Sequence, residues 1–129
     1  MSDGAPSILI AEDNPGLARV LSFKFKSSGF SPIVCADGQI AWDAFHANPV
    51  VAIVSDHEMP RLSGVDLCRN LRAENSKVPF FLVTGRQLEL SSTGIAEELN
   101  ITQIFGKPFS PADVIAAVRE AIEEPSRPC

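Results

Sequence analysis

The sequence predicts an α/β fold in which a parallel five-stranded sheet carries helices on both faces. Strand and helix patterns alternate five times along the 129 residues, which is typical of right-handed βαβ crossovers. Several strand segments are short apolar runs, as expected for strands buried on both sides. A chain of this length suits one domain, which we place at residues 7–124 between short tails at 1–6 and 125–129.

The first strand–helix unit has well-marked boundaries. Its strand is predicted at residues 7–11. Asn14-Pro15 then opens a helix, because Asn is a good N-cap and Pro suits the first helical position. Apolar residues recur every four positions from Leu17 to Phe25, so one face of this helix is apolar. The helix is predicted to end at Ser27-Ser28-Gly29.

The second and third units follow the same plan. The second strand is predicted at 31–35, and its helix runs from Asp37-Gly38 to Asn48-Pro49, where the residue before proline disfavours helix. The third strand is predicted at 50–55 and is followed by a loop over 57–64. The third helix is marked by four apolar residues, Val65, Leu67, Cys68 and Leu71.

The fourth helix is the least regular element of the last two units. The fourth strand is predicted at 80–83 and its helix near 87–99. Residues 91–94 read Ser-Ser-Thr-Gly, and these are poor helix formers. We therefore expect a short or frayed helix here. The fifth strand is predicted near 101–106, and a Ser-Pro pair opens a last helix that ends near Glu123.

Composition excludes several classes of protein. The net charge is -5, with 16 acidic and 11 basic residues, so no direct binding of nucleic acid is expected. No apolar run approaches the ~20 residues that cross a bilayer, and the first residues lack the features of a signal peptide. Three cysteines without a Cys-x-x-Cys pair indicate neither a disulfide framework nor a zinc site. We expect a cytoplasmic protein without a membrane partner.

Polar side chains stand where four of the predicted strands end: Glu12, Asp13, Asp56, Thr84 and Lys107. All carboxyl ends of a parallel sheet share one edge, where such folds bind ligands, so these groups can meet. Two carboxylates at ~5 Å and an effective dielectric of ~20 repel by roughly 3 kcal/mol. A hard divalent cation with oxygen ligands would offset this repulsion, and Mg²⁺ is the natural candidate.

The same residues suit the transfer of an anion. A carboxylate can act as a covalent nucleophile toward a phosphoryl group. Phosphoryl transfer depends mainly on positioning and on stabilisation of charge. A cation, an ammonium and a hydroxyl around a carboxylate would supply both.

Four short motifs resemble those of a response-regulator receiver domain of two-component signalling. They are Ala11-Glu12-Asp13-Asn14, Ser55-Asp56-His57-Glu58-Met59-Pro60 with Gly64, Val83-Thr84-Gly85, and Lys107-Pro108-Phe109. The resemblance covers about residues 7–124. It implies a flavodoxin-like (βα)5 three-layer sandwich with strand order 2-1-3-4-5. It also implies a signalling switch rather than a turnover enzyme.

The resemblance also implies a role for each residue of the site. Asp56 would accept a phosphoryl group from a partner histidine kinase or histidine phosphotransfer protein. Glu12, Asp13, Asp56 and the backbone carbonyl of Glu58 would hold Mg²⁺. Thr84 would hydrogen-bond the phosphoryl oxygens, and Lys107 would pair with them. A cis Lys107-Pro108 bond is implied as well.

Phosphorylation would, by the same resemblance, change a face made by the fourth helix, the fifth strand and the fifth helix. That face could bind a downstream protein or a second copy of the chain. The first helix often binds the phosphodonor in this family. Phe23 lies off the apolar face of that helix, so we expect it to be exposed and to mark such a docking patch.

Two features depart from the family pattern. Ile104 stands three residues before Lys107, where many members carry Tyr or Phe, and Phe105 should point to the opposite face of the strand. Glu58 and Arg86 lie two residues after Asp56 and Thr84, at positions that tune access of water. Either their opposite charges pair as a lid over the site, or both side chains are solvated.

Two other readings of the sequence stay open. One is a degenerate receiver that binds partners without phosphorylation, which Ile104 and the irregular fourth helix favour. The other is an unrelated enzyme or cofactor protein, such as a flavodoxin-like flavin carrier or a phosphatase with an aspartate nucleophile. That phosphatase class carries a second aspartate where Glu58 stands, and no glycine-rich phosphate loop follows the first strand.

Overall fold

Five parallel strands form a single sheet in the order β2-β1-β3-β4-β5. The structure is a computed structural model and describes residues 4–123. The strands are β1 Ser7–Ala11, β2 Ser31–Cys35, β3 Ala52–Asp56, β4 Phe80–Thr84 and β5 Gln103–Gly106. β1 and β3 pair side by side at the centre, with β4 and β5 added beyond β3. The predicted fold class and strand order are confirmed.

Helices cover both faces of the sheet, which makes three layers. They are α1 Pro15–Ser27, α2 Gly38–Ala47, α3 Gly64–Ala73, α4 Gln87–Ser91, α5 Ile95–Glu98 and α6 Pro111–Glu123. Successive residues of each strand point to opposite faces. Ile8 and Ile10 therefore pack with apolar residues of α1 and α6, whereas Leu9 packs in a second core with residues of α2 and α3.

Polar caps set the beginnings of α1 and α2. Asn14 Oδ1 accepts a hydrogen bond of 3.0 Å from the backbone N–H of Leu17, and Asp37 Oδ1 accepts one of 2.8 Å from Ile40. These caps satisfy donors that a helix leaves free in its first turn. They bring α1 and α2 to a start directly after the ends of β1 and β2, so the polar residues at those ends stay at the edge of the sheet.

The predicted fourth helix is two short helices in the structure. Gly94 separates α4 from α5 and has a φ of 79°, a left-handed conformation that glycine adopts without strain. The fifth predicted helix is accordingly α6. The third strand begins at Ala52 and includes Asp56 as its last residue, so the site aspartate is held by the backbone ladder itself.

The ends of the chain are described only in part. Residues 1–3 of the predicted N-terminal tail and the whole predicted tail at 125–129 lie outside the described residues, as does residue 124 of the predicted domain. Cys35 and Cys68 are buried free thiols, consistent with packing. Over residues 4–123, no helix has both the length and the apolar character that a membrane span requires.

Candidate functional site at the carboxyl edge of the sheet

Three carboxylates converge where β1 and β3 end. Glu12 and Asp13 follow β1 directly, and Asp56 is the last residue of β3. One carboxylate oxygen from each of them lies within 4.8 Å of the other two. Glu12 and Asp56 are buried, whereas Asp13 is exposed. The predicted acidic cluster is therefore present, with its open side toward solvent at Asp13.

Lys107 brings a positive charge to the same place. It follows β5, and its Nζ lies 3.1 Å from Asp56 Oδ1 and 3.9 Å from Glu12 Oε1. The Lys107-Pro108 peptide bond is cis, as the sequence resemblance implies. The ammonium thus pairs with both buried carboxylates, Asp56 and Glu12.

Burial works against negative charge in this cluster. It raises the pKa of Glu12 to about 7, an effect that the backbone N–H of Asn14 opposes and the charge of Asp56 strengthens. Burial also raises the pKa of Asp56, while Lys107 opposes that rise and the charge of Glu58 adds to it. Burial alone would lower the pKa of Lys107, but its contact with Asp56 raises that pKa. One ammonium does not fully neutralise the carboxylates.

The acidic cluster suits a hard divalent cation. Asp56 Oδ1 is buried and has no hydrogen-bond partner among the described residues, although the Lys107 ammonium lies 3.1 Å away as its ion-pair partner. An oxygen with unused lone pairs is rare in a protein interior. Beside two further carboxylates it provides the all-oxygen donor set that Mg²⁺ prefers.

Thr84 and Glu58 are joined by a hydrogen bond. The Thr84 hydroxyl donates to Glu58 Oε2 at 2.7 Å, and Thr84 Oγ1 accepts from the backbone N–H of Arg86 at 3.0 Å. The guanidinium of Arg86 binds Glu89 instead, through Nε at 3.0 Å and Nη2 at 2.8 Å. Of the two alternatives for Glu58 and Arg86, the described residues show no mutual ion pair; both residues are exposed, as in the solvated alternative, but each side chain also has another partner.

The loop between β3 and α3, which carries Glu58, contacts the start of α2 through an ion pair and a close backbone approach. Arg61 Nε lies 3.2 Å from Asp37 Oδ2, and the Asp37 side chain is 9% exposed. A Cβ atom on Gly38 would lie 2.1 Å from the backbone oxygen of Leu62, so only glycine allows this approach. The sequence indicated Asp37-Gly38 only as a helix start. No sequence signal relates Asp37 to Arg61.

Ile104 and Phe105 point to opposite faces of β5, as predicted. Ile104 packs in the core on the α2 and α3 side, while Phe105 packs with residues of α1 and α6. Ile104 is 8% exposed. Phe105 therefore does not occupy the place of the aromatic residue that Ile104 replaces.

A groove of about 630 Å³ lies beside the acidic cluster, between α1 and the end of β2. Phe23 and Val34 line it and are 66% and 45% exposed, and Arg19 and Lys26 add positive charge. The prediction that Phe23 is exposed is confirmed, and its part in docking stays a prediction. The groove begins at Asp13, so a partner seated in it would be next to the carboxylates.

The fold and the site together define a class of protein. It is a flavodoxin-like α/β domain that gathers carboxylates and an ammonium at the carboxyl edge of its sheet. The chain belongs to the response-regulator receiver family, because the family model described as the response regulator receiver domain matches residues 8–119. The resemblance noted in the sequence is thereby confirmed.

Curated relatives are longer proteins. The chain is 34% identical over 116 residues to the sensory transduction protein RegX3 of Mycolicibacterium smegmatis, covering 90% of this chain and 50% of the relative. It is 31% identical over 112 residues to the DNA-binding response regulator MtrA of the same organism, covering 87% and 48%. The chain thus spans about half the length of these relatives.

Solved structures show the same fold. The Francisella response regulator 1452 receiver domain has a TM-score of 0.87 and 26% identity, covering 94% of this chain and 99% of that one. The Vibrio cholerae chemotaxis protein CheY4 has a TM-score of 0.82 and 18% identity, covering 91% and 98%. The second likeness concerns the fold alone.

Proposed function

We propose that this chain is a phosphorylation-dependent signalling switch in which Asp56 accepts the phosphoryl group. One observation carries the proposal. Asp56 Oδ1 is buried without a hydrogen-bond partner among the described residues, 3.1 Å from the Lys107 ammonium and within the acidic cluster. A carboxylate oxygen with free lone pairs is available as a nucleophile, and the ammonium beside it can neutralise charge that arrives with a phosphoryl group.

The donor we propose is a phosphohistidine of a partner kinase or phosphotransfer protein. An oxygen of Asp56 forms a bond to phosphorus while the bond from phosphorus to the donor imidazole breaks. The imidazole nitrogen keeps that electron pair, and the ring leaves neutral when its other nitrogen carries a proton. Lys107 then pairs with the phosphoryl oxygens, and the Thr84 hydroxyl donates a hydrogen bond to one of them.

Mg²⁺ is the cofactor we propose for this site. Glu12, Asp13, Asp56 and the backbone carbonyl of Glu58 would hold it, and the unpartnered Asp56 oxygen and the donor set fit this ion. When bound, Mg²⁺ supplies positive charge that offsets both the repulsion within the cluster and the charge of the phosphoryl oxygens.

We propose the groove beside α1 as the place where the phosphodonor docks. It joins exposed Phe23 to the acidic cluster and carries two basic side chains at its border. Phe23→Ala should slow transfer from a protein donor and leave phosphorylation by a small donor unchanged. The face made by α4, α5, β5 and α6 is proposed for a downstream protein or a second copy. It carries Leu88, which is 84% exposed.

Residues 7–124 remain our proposed boundaries of the receiver unit, and a cytoplasmic location remains our proposal. We propose a phosphoacceptor that phosphorylates and dephosphorylates itself rather than a turnover enzyme. No direct contact with nucleic acid is proposed for this chain. A relative named as DNA-binding is about twice as long as the matched segment, so its name says nothing of these residues.

Acetyl phosphate with Mg²⁺ tests the proposal. Intact mass should show a gain of one phosphate in the parent protein and none in Asp56→Asn or without Mg²⁺. Lys107→Met should lower the extent of labelling at equal exposure to the donor. Labelling of Asp56→Asn to the level of the parent would refute Asp56 as the acceptor.

A phosphorylation-independent binding module is the second candidate. The observation that favours it is Ile104, a buried aliphatic residue where an aromatic switch would stand. A protein that takes no phosphate and no beryllofluoride, yet binds a partner equally well with Asp56→Asn, would establish this alternative.

A further inference from the structure

The single proton of the Thr84 hydroxyl already takes part in a hydrogen bond. It is donated to Glu58 Oε2 at 2.7 Å, while the Thr84 oxygen accepts the backbone N–H of Arg86. Thr84 is fully buried and Glu58 is exposed. A buried hydroxyl has few other acceptors, and a carboxylate is a strong one. The contact therefore fixes the direction in which the hydroxyl points.

This arrangement competes with the role proposed for Thr84. A hydroxyl has one proton, so Thr84 cannot donate to Glu58 and to a phosphoryl oxygen at the same time. We propose that Glu58 is a positioning residue that holds the Thr84 hydroxyl in the unphosphorylated protein, and that the hydrogen bond must break before the switch is complete. This inference rests on the proposed function and adds a regulatory role for the Glu58 side chain.

The surroundings of Glu58 favour its release when an anion arrives. Its carboxylate and the phosphoryl oxygens carry charge of the same sign and would share one donor, so they repel each other. The guanidinium of Arg86 is engaged by Glu89 through two hydrogen bonds, and it acts on Glu58 only through space. Two arrangements of Thr84 follow, one bound to Glu58 and one bound to the phosphoryl group, and a ligand shifts their populations.

Affinity for beryllofluoride in the presence of Mg²⁺ measures the competition, because beryllofluoride mimics a phosphoryl group on a carboxylate. Glu58→Met removes the acceptor at nearly constant size and keeps the backbone carbonyl. It should tighten binding about five-fold, the value expected for a charge-assisted hydrogen bond at a partly exposed site. Glu58→Gln, which keeps an acceptor without the charge, is the matched control. Its affinity for beryllofluoride should rise less than that of Glu58→Met.

A second background separates the hydrogen bond from simple charge repulsion. In Thr84→Val there is no hydroxyl to hold, so Glu58→Met should change affinity by less than about two-fold. Equal gains from Glu58→Met in the Thr84 and Val backgrounds would overturn the proposal, since Glu58 would then act by its charge alone. No gain in the Thr84 background would overturn it as well.

The hydrogen bond can be tested apart from phosphorylation. Three-bond NMR couplings to the Thr84 methyl group in the unliganded protein should report a single rotamer in the parent and averaged rotamers in Glu58→Met. Identical couplings in the two proteins would overturn the role of Glu58, even if the parent bound beryllofluoride. Failure of the parent to bind beryllofluoride, with couplings that differ as expected, would refute the proposed function and support the hydrogen bond.

Discussion

Replacing Glu12 with glutamine should stabilise the metal-free protein at neutral and alkaline pH. Burial raises the pKa of Glu12 from 4.5 to about 7, so the folded protein holds this proton more tightly than the unfolded chain does. The stability that comes from the neutral carboxyl is complete below pH 4.5 and is lost as pH rises through about 7.

The size of the effect follows from that difference. The two values differ by about 2.5, and at about 1.36 kcal/mol for each unit of pH the ionised carboxylate destabilises the fold by about 3 kcal/mol at pH 8. Glu12→Gln removes the charge and keeps an oxygen that can accept the backbone N–H of Asn14, now bound at 3.0 Å by Glu12 Oε2. Glu12→Gln should therefore raise the free energy of unfolding at about pH 8 by most of these ~3 kcal/mol.

Urea unfolding in a chelator, measured at about pH 5 and about pH 8, gives the two free energies of unfolding. The advantage of Glu12→Gln over the parent should be small at the lower pH and largest at the higher pH. Glu120→Gln, at an exposed position on α6, is the matched control and should show no such widening. An advantage that stays constant between the two pH values would refute the reasoning. Added Mg²⁺ should stabilise the parent much more than Glu12→Gln.

Two further predictions concern the frame around the site. Gly38→Ala should destabilise the fold by roughly 1–3 kcal/mol, because its Cβ would lie 2.1 Å from a backbone oxygen of the β3–α3 loop. Gly85→Ala, whose Cβ meets nothing within 4 Å, is the control in the same urea titration, and equal midpoints for both variants would contradict the packing argument. The pKa of His46 is raised by the carbonyl four residues before it and by Glu74 at 2.6 Å. Stability from this pair is therefore present below the ordinary histidine pKa and lost as pH rises through the raised value. NMR titration of His46 in the parent and in Glu74→Gln measures this, and an unchanged pKa in the variant would show that Glu74 has no part in it.

Local chemistry made much of the fold predictable. The Asn14-Pro15 and Asp37-Gly38 starts agree with α1 and α2 because a cap acts within one turn of helix. Poor helix formers indicated a weak fourth helix, but the break at Gly94 depends on a left-handed conformation that the neighbouring structure selects. The start of β3 at Ala52 depends on which backbone groups find partners in the sheet, and that is a property of the whole fold.

The site was predictable at the level of residues and not at the level of side-chain pairs. Topology alone brings the ends of β1 and β3 to one edge, so the meeting of Glu12 and Asp56 follows from the order of the strands. The hydrogen bond from Thr84 to Glu58 depends on rotamers, and rotamers are chosen by neighbours distant in sequence. For the same reason the sequence left open whether Glu58 pairs with Arg86 or both side chains are solvated, and it did not indicate that Arg86 binds Glu89, one helical turn away.

The chemical identity of the phosphorylated residue tests the central claim most directly. The protein is incubated with phosphoramidate and Mg²⁺, the acyl phosphate is reduced with borohydride, and the peptides are sequenced by mass spectrometry. Reduction converts an aspartyl phosphate to homoserine, and we predict homoserine at position 56 only. Homoserine at position 13, or a phosphate that survives reduction on a serine, threonine or histidine, would contradict Asp56 as the phosphoacceptor.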